Sequence, residues 1–107
     1  TYDWQGEDVA LNAWHQDQVV TRPADAQVVA SNAFCENAAL IYGKRAFTVQ
    51  AHPEYSDQMI DGLARLRGPG LVPDPLLAAA HANFGKPKAN QKLAAMIARF
   101  FRERRIA

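Results

Sequence analysis

The sequence predicts an α/β chain in which strands come first and helices second, on three observations. From Asp8 to Thr48, short apolar runs alternate with turn residues; after Glu54, apolar residues recur at spacings of three and four; and Gly and Pro punctuate the second half where helices would end. With 107 residues, 49% of them apolar, the chain is one domain at most and long enough for a modest core.

Four segments read as strands: residues 9–14, 27–31, 39–42 and 47–50. The turn signals Arg22-Pro23-Ala24-Asp25 and Gly43-Lys44-Arg45 lie among them. Their close spacing implies antiparallel neighbours, at least locally. Beyond Glu54, Ser56 or Asp57 can cap a helix whose Met59, Ile60, Leu63 and Leu66 share one stripe, and Gly68-Pro69-Gly70 stops it. Asp74-Pro75 pairs a capping residue with a proline suited to the first helical position, opening a helix from Leu76 to about Asn83 that Gly85 ends. Asn90 begins a third helix, in which Leu93, Met96, Ile97, Phe100 and Phe101 form a core-facing stripe while Arg99, Arg102 and Glu103 face out. No repeat or low-complexity segment interrupts this order.

Charge and cysteine usage narrow the setting. Twelve basic against eleven acidic residues leave +1, which argues against nucleic acid or another polyanion as an overall partner. The distribution is uneven: residues 86–105 hold seven cations against Glu103 alone, a net of +6, so the remainder carries −5. A single cysteine, Cys35, excludes an internal disulfide and fits a reducing compartment. No run approaches the roughly 18 apolar residues of a membrane span, and no leader is visible, so the expected location is cytoplasmic. The chain opens on Thr1 instead of Met, and is expected to be a piece of a longer polypeptide.

The chemistry concentrates in His52-Pro53-Glu54-Tyr55, at the end of the run Ala46-Phe47-Thr48-Val49-Gln50-Ala51. Residues two apart in extended backbone project from one face, so the His52 imidazole and the Glu54 carboxylate can meet. Pro53 fixes its own φ and steers His52 toward extended conformations, stiffening the pair. A carboxylate on one ring nitrogen selects the tautomer that leaves the other free to exchange protons. In isolation, such a tripeptide reads more readily as a strand end running into a loop, and its context is what favours the dyad. A metal site is not expected: His15, His52 and His81 fall on separate elements with no paired ligand spacing, and Cys35 has no companion. His81 is expected to pack on its alanine-rich helix.

Residues 13–55 resemble the C-terminal half of class I (triad-type) glutamine amidotransferase domains, similar to the glutaminase part of GMP synthase. The likeness runs from Ala13-Trp14-His15-Gln16-Asp17-Gln18-Val19, through Ala30-Ser31-Asn32-Ala33-Phe34-Cys35-Glu36-Asn37-Ala38-Ala39-Leu40, to Val49-Gln50-Ala51-His52-Pro53-Glu54-Tyr55. It covers about two-fifths of the chain well; the helical tail matches only in general character. Its most specific element is Val-Gln-x-His-Pro-Glu at a strand end, preceded by a His-x-Asp-x-Val segment.

The resemblance implies an open, largely parallel sheet with helices on both faces, of which residues 1–107 are the C-terminal part. Residues 1–55 would be the strand-rich portion with the catalytic His-x-Glu, and 56–107 the helical tail. It implies a Cys-His-Glu triad that hydrolyses the glutamine side-chain amide to glutamate and ammonia without a cofactor. By motif, His52 and Glu54 are its histidine and glutamate; His15 and Asp17 match a pair that helps shape the glutamine site or else orders a strand-to-loop junction. The family's nucleophile sits in a Gly-x-Cys-x-Gly elbow that this chain lacks. Cys35, between Phe34 and Glu36, reads as a buried small hydrophobe. The nucleophile is therefore expected from a missing N-terminal half, without which these residues are inactive. An exposed sheet edge and apolar face would be covered by that half or by self-association. Further expected partners are glutamine and a synthase or acceptor domain for ammonia. Ala51 stands where the family carries a bulky aromatic before the histidine, and Trp14 where it often has a small polar residue.

Two other functions share these residues. One is a γ-glutamyl amide hydrolase of the same fold with no ammonia transfer; the other is a non-catalytic module that binds through its basic tail. The tail lacks an aromatic stacking platform, since Phe100 and Phe101 are assigned to the apolar stripe.

Overall fold

In a computed structural model, which describes residues 1–106, the strands are β1 (Tyr2–Trp4), β2 (Glu7–Val9), β3 (Gln27–Ser31), β4 (Ala39–Tyr42) and β5 (Ala46–Val49). The helices are α1 (Asp57–Arg67), α2 (Asp74–Ala82) and α3 (Asn90–Glu103). The strands form one sheet in the order β2-β1-β3-β4-β5, and every pairing in it is antiparallel. The largely parallel sheet expected from the resemblance is therefore corrected for this chain. The reason lies in the connections: two residues join β1 to β2, three join β4 to β5, and seven join β3 to β4, whereas a parallel crossover needs a dozen or more.

β1 went unrecognised in the sequence, although its turn carries a signal. Gln5 and Gly6 both take positive φ, 53° and 92°, the backbone of a type I′ hairpin, and the Asp3 carboxylate accepts the Gly6 N–H at 2.7 Å. The expected strand over 9–14 contains only Val9. Beyond it the backbone bonds elsewhere: the Ala10 carbonyl accepts from the Ala89 N–H at 2.7 Å and the Asn12 carbonyl from the His52 N–H at 2.8 Å. β3 and β4 lie where their apolar runs placed them, and β5 begins one residue earlier.

The core lies between one sheet face and α3. Tyr2, Trp4, Val29, Ala39 and Leu93 are buried together, with Ile41, Phe47, Val49, Met96 and Ile97 packed against them. Phe47 bridges the layers, edge-on to Trp4 at 6.4 Å and tilted against Phe100 at 6.0 Å. Phe101, expected on the same stripe, is instead 75% exposed; it lies about 100° around the helix from Phe100 and misses the sheet.

Ser56 caps α1 by accepting the Met59 N–H, as its sequence position implies. Of the α1 stripe only Ile60 is fully buried, and Leu66 is exposed. At the end of α1, a Cβ on Gly68 would come within 2.3 Å of the Ala64 carbonyl oxygen and 2.7 Å of Leu77 Cδ2, so α2 approaches α1 where no side chain fits. Asp74 lies inside α2, whose N-cap is Pro73. No helix among the described residues is long and apolar enough to cross a membrane.

Candidate active site

His52 follows β5 by three residues and begins a turn closed by the Tyr55 N–H on the His52 carbonyl at 3.1 Å. Across Pro53, His52 Nδ1 and Glu54 Oε1 are 2.6 Å apart. The hydrogen bond from His52 holds the Glu54 carboxyl below its usual range, so Glu54 is ionised at neutral pH. An ionised carboxylate only accepts, which requires a proton on Nδ1; in the neutral imidazole this leaves Nε2 with its lone pair. Nε2 makes no hydrogen bond among the described residues. Tyr55 stacks on the imidazole, with centroids 4.3 Å apart and planes within 10°. The His52 side chain is 31% exposed and that of Glu54 60%, so the pair is accessible. Beside it, Pro53, Glu54, Ala94, Ile97, Ala98 and Phe101 line an open recess of about 420 Å³.

A second layer holds this turn. Asn12, buried, donates through Nδ2 to the Tyr55 carbonyl and to Asp57 Oδ1, both at 3.0 Å. Asp57 Oδ2 accepts the Gly85 N–H at 2.8 Å, and Lys88 Nζ lies 3.2 Å from Oδ1. The Gly85 amide, then Asn12 and Lys88, hold the Asp57 carboxyl below its usual value. One carboxylate thus ties the start of α1 to the α2–α3 connection and to the segment after β2. In the sequence Asp57 is legible only as a possible cap, and Asn12 and Lys88 carry no signal, because their partners lie far away along the chain. Tyr55 closes the His52-Pro53-Glu54-Tyr55 tetrapeptide, but its stacking depends on the turn.

The lowered Asp57 value makes a pH prediction. A carboxyl with a depressed native pKa contributes stability that is complete above its unfolded value, about 3.9, and disappears as pH falls through the folded one. Asp57→Asn is therefore expected to lower the urea midpoint at pH 7, with the gap to wild type closing below about pH 4. Parallel urea titrations at pH 7 and pH 3 check this.

His15 and Asp17 lie in the segment after β2. His15 Nδ1 is 2.9 Å from the Asp17 backbone carbonyl oxygen, so the two are joined through main chain. Among the described residues neither bonds to His52 or Glu54. Cys35 is 1% exposed, and burial pushes its thiol pKa up. His81, in the last turn of α2, meets Phe84 edge-on at 5.6 Å. No cluster of three or more His, Cys, Asp or Glu suited to a metal occurs among the described residues. Several cations of the tail pair within the chain: Lys88 with Asp57, Lys92 with Glu7, and Arg99 and Arg105 with Glu103.

Over 96 residues the chain is 28% identical to a glutamine amidotransferase-like protein of Schizosaccharomyces pombe. The aligned region takes in 89% of this chain and 39% of the yeast protein, so the chain spans about two-fifths of that relative's length. No family profile and no solved structure matches it.

Proposed function

We propose that this chain supplies the histidine and glutamate of a class I glutamine amidotransferase, whose cysteine nucleophile comes from polypeptide outside residues 1–107. The observation that carries the reading is the 2.6 Å contact between His52 Nδ1 and Glu54 Oε1, in a chain whose relative is glutamine amidotransferase-like. With Nδ1–H committed to Glu54, Nε2 takes the thiol proton as sulfur attacks the glutamine side-chain carbonyl. The resulting imidazolium, stabilised by the carboxylate, then protonates departing ammonia. Water attacks the γ-glutamyl thioester as Nε2 again accepts a proton; the C–S bond breaks, the imidazolium returns its proton to the departing cysteine sulfur, and glutamate is released. Cys35 has no part in this, because a buried thiol with a raised pKa is neither reachable nor ionised. His15 and Asp17 are assigned to the edge of the glutamine site, at most through the loop they order.

Pairing of the basic tail within the chain favours this reading over a polyanion-binding module. The test is to express the full coding region that contains this chain and measure glutamate and ammonia from glutamine. Equimolar release of the two is expected, and residues 1–107 alone should release neither.

A further inference from the structure

Asn12 has no step in the proposed chemistry, yet it is 7% exposed and holds the turn bearing His52 at both ends. Its main-chain carbonyl accepts the His52 N–H at 2.8 Å. Its side-chain nitrogen donates to the carbonyl of Tyr55, the residue whose ring lies flat on the imidazole, and to Asp57 Oδ1. A buried amide with both hydrogens engaged is costly to disturb, and here its partners are the backbone and first helical residue that frame the dyad.

We propose that Asn12 is a positioning residue that fixes the orientation of the His52 imidazole through the Tyr55 end of the turn. This rests on the function proposed above. The imidazole has three constraints: its own main-chain N–H, Glu54 on Nδ1, and Tyr55 on its face. Asn12 sets the first with its carbonyl and the third with its amide. Truncating the amide leaves the first in place and frees the Tyr55 carbonyl, so the stacked ring moves away and the imidazole samples other rotamers. Asp57 acts one step further out, orienting the Asn12 amide while Gly85 and Lys88 hold Asp57 itself.

The experiment uses the full coding region with selectively ¹⁵N-labelled histidine, comparing wild type, Asn12→Ala, Asp57→Asn and His52→Ala. In wild type, long-range ¹H–¹⁵N correlations for His52 should show one tautomer with its proton on Nδ1. Asn12→Ala is expected to show a mixture, with kcat per titrated active site about 10- to 100-fold lower and KM within about twofold. Asp57→Asn, which keeps an oxygen for the Gly85 N–H, should move both readouts the same way, with kcat about 3- to 10-fold lower. A single Nδ1–H tautomer together with unchanged kcat in Asn12→Ala overturns the proposal; if that variant fails to fold, the same pair of results in Asp57→Asn does so. Full activity in His52→Ala removes the catalytic reading alone, and the tautomer measurement then decides the role of Asn12 by itself.

Discussion

Replacing His52 with alanine in the full polypeptide is expected to lower glutamate release by at least about a thousandfold, with KM changed little. The size follows from the two proton transfers assigned to Nε2. Without the imidazole nothing takes the thiol proton, and nothing returns one to the leaving ammonia. General acid–base catalysis alone contributes about 10²- to 10⁴-fold, and a nucleophile and its base fail together when either is removed. Glutamine binding does not need the ring, which is why the loss should fall on kcat. Glu54→Gln is the informative companion. Its amide oxygen can still accept from Nδ1–H, but the charge that stabilises the imidazolium is gone, so a drop of about a hundredfold is expected. Steady-state assays of glutamate from glutamine check both, and a His52→Ala enzyme within tenfold of wild type is incompatible with the proposed roles.

The second large effect concerns stability. Leu93 is 1% exposed and sits where α3 meets the sheet among Trp4, Val29 and Ala39. α3 has no side-chain N-cap; its N-terminal boundary residue, Ala89, is fastened by its N–H on the Ala10 carbonyl. The helix is held mainly by its buried stripe. Leu93→Ala removes the best buried side chain of that stripe and leaves a cavity, at a cost of about 2–5 kcal/mol. Against a typical domain stability of about 5–15 kcal/mol, that is a large fraction. A marked fall in urea midpoint with an unchanged slope is the expected result. Phe101→Ala, at an exposed position on the same helix, should change stability by about 0.5 kcal/mol or less. Equal effects from the two would mean that α3 is not docked by this face. The damage would also reach the site, because Ala94, Ile97 and Ala98 of α3 line the recess beside Glu54.

What the sequence made legible was local. Ser56 and the glycine after α1 mark that helix, and the Leu93, Met96, Ile97 and Phe100 stripe marks α3, because caps and periodicity act within a few residues. The His52–Glu54 contact was legible only in part: the i, i+2 spacing and the intervening proline allow it, but it forms in a turn closed by Tyr55 and held by Asn12, not in the extended backbone expected. The misreadings depend on contacts far apart in sequence. Residues 10–14 look like a strand by composition, but the carbonyls of Ala10 and Asn12 are taken by the Ala89 and His52 N–H groups. The apolar stripe of α1 looks core-facing, yet Met59 and Leu66 are exposed. The largely parallel sheet came from likeness to a family, whereas the short connections in this chain require antiparallel pairing. Asn12 was invisible for a like reason, since its side-chain partners lie 43 and 45 residues away.

The most direct test of the central claim is to find the sulfur that His52 activates. The full polypeptide is treated with an electrophilic glutamine analogue and the labelled residue mapped by peptide mass spectrometry, with free glutamine as competitor and His52→Ala alongside. The account predicts one labelled cysteine outside residues 1–107, protected by glutamine and scarcely labelled in the variant. Label on Cys35, or labelling that is indifferent to the loss of His52, would contradict it.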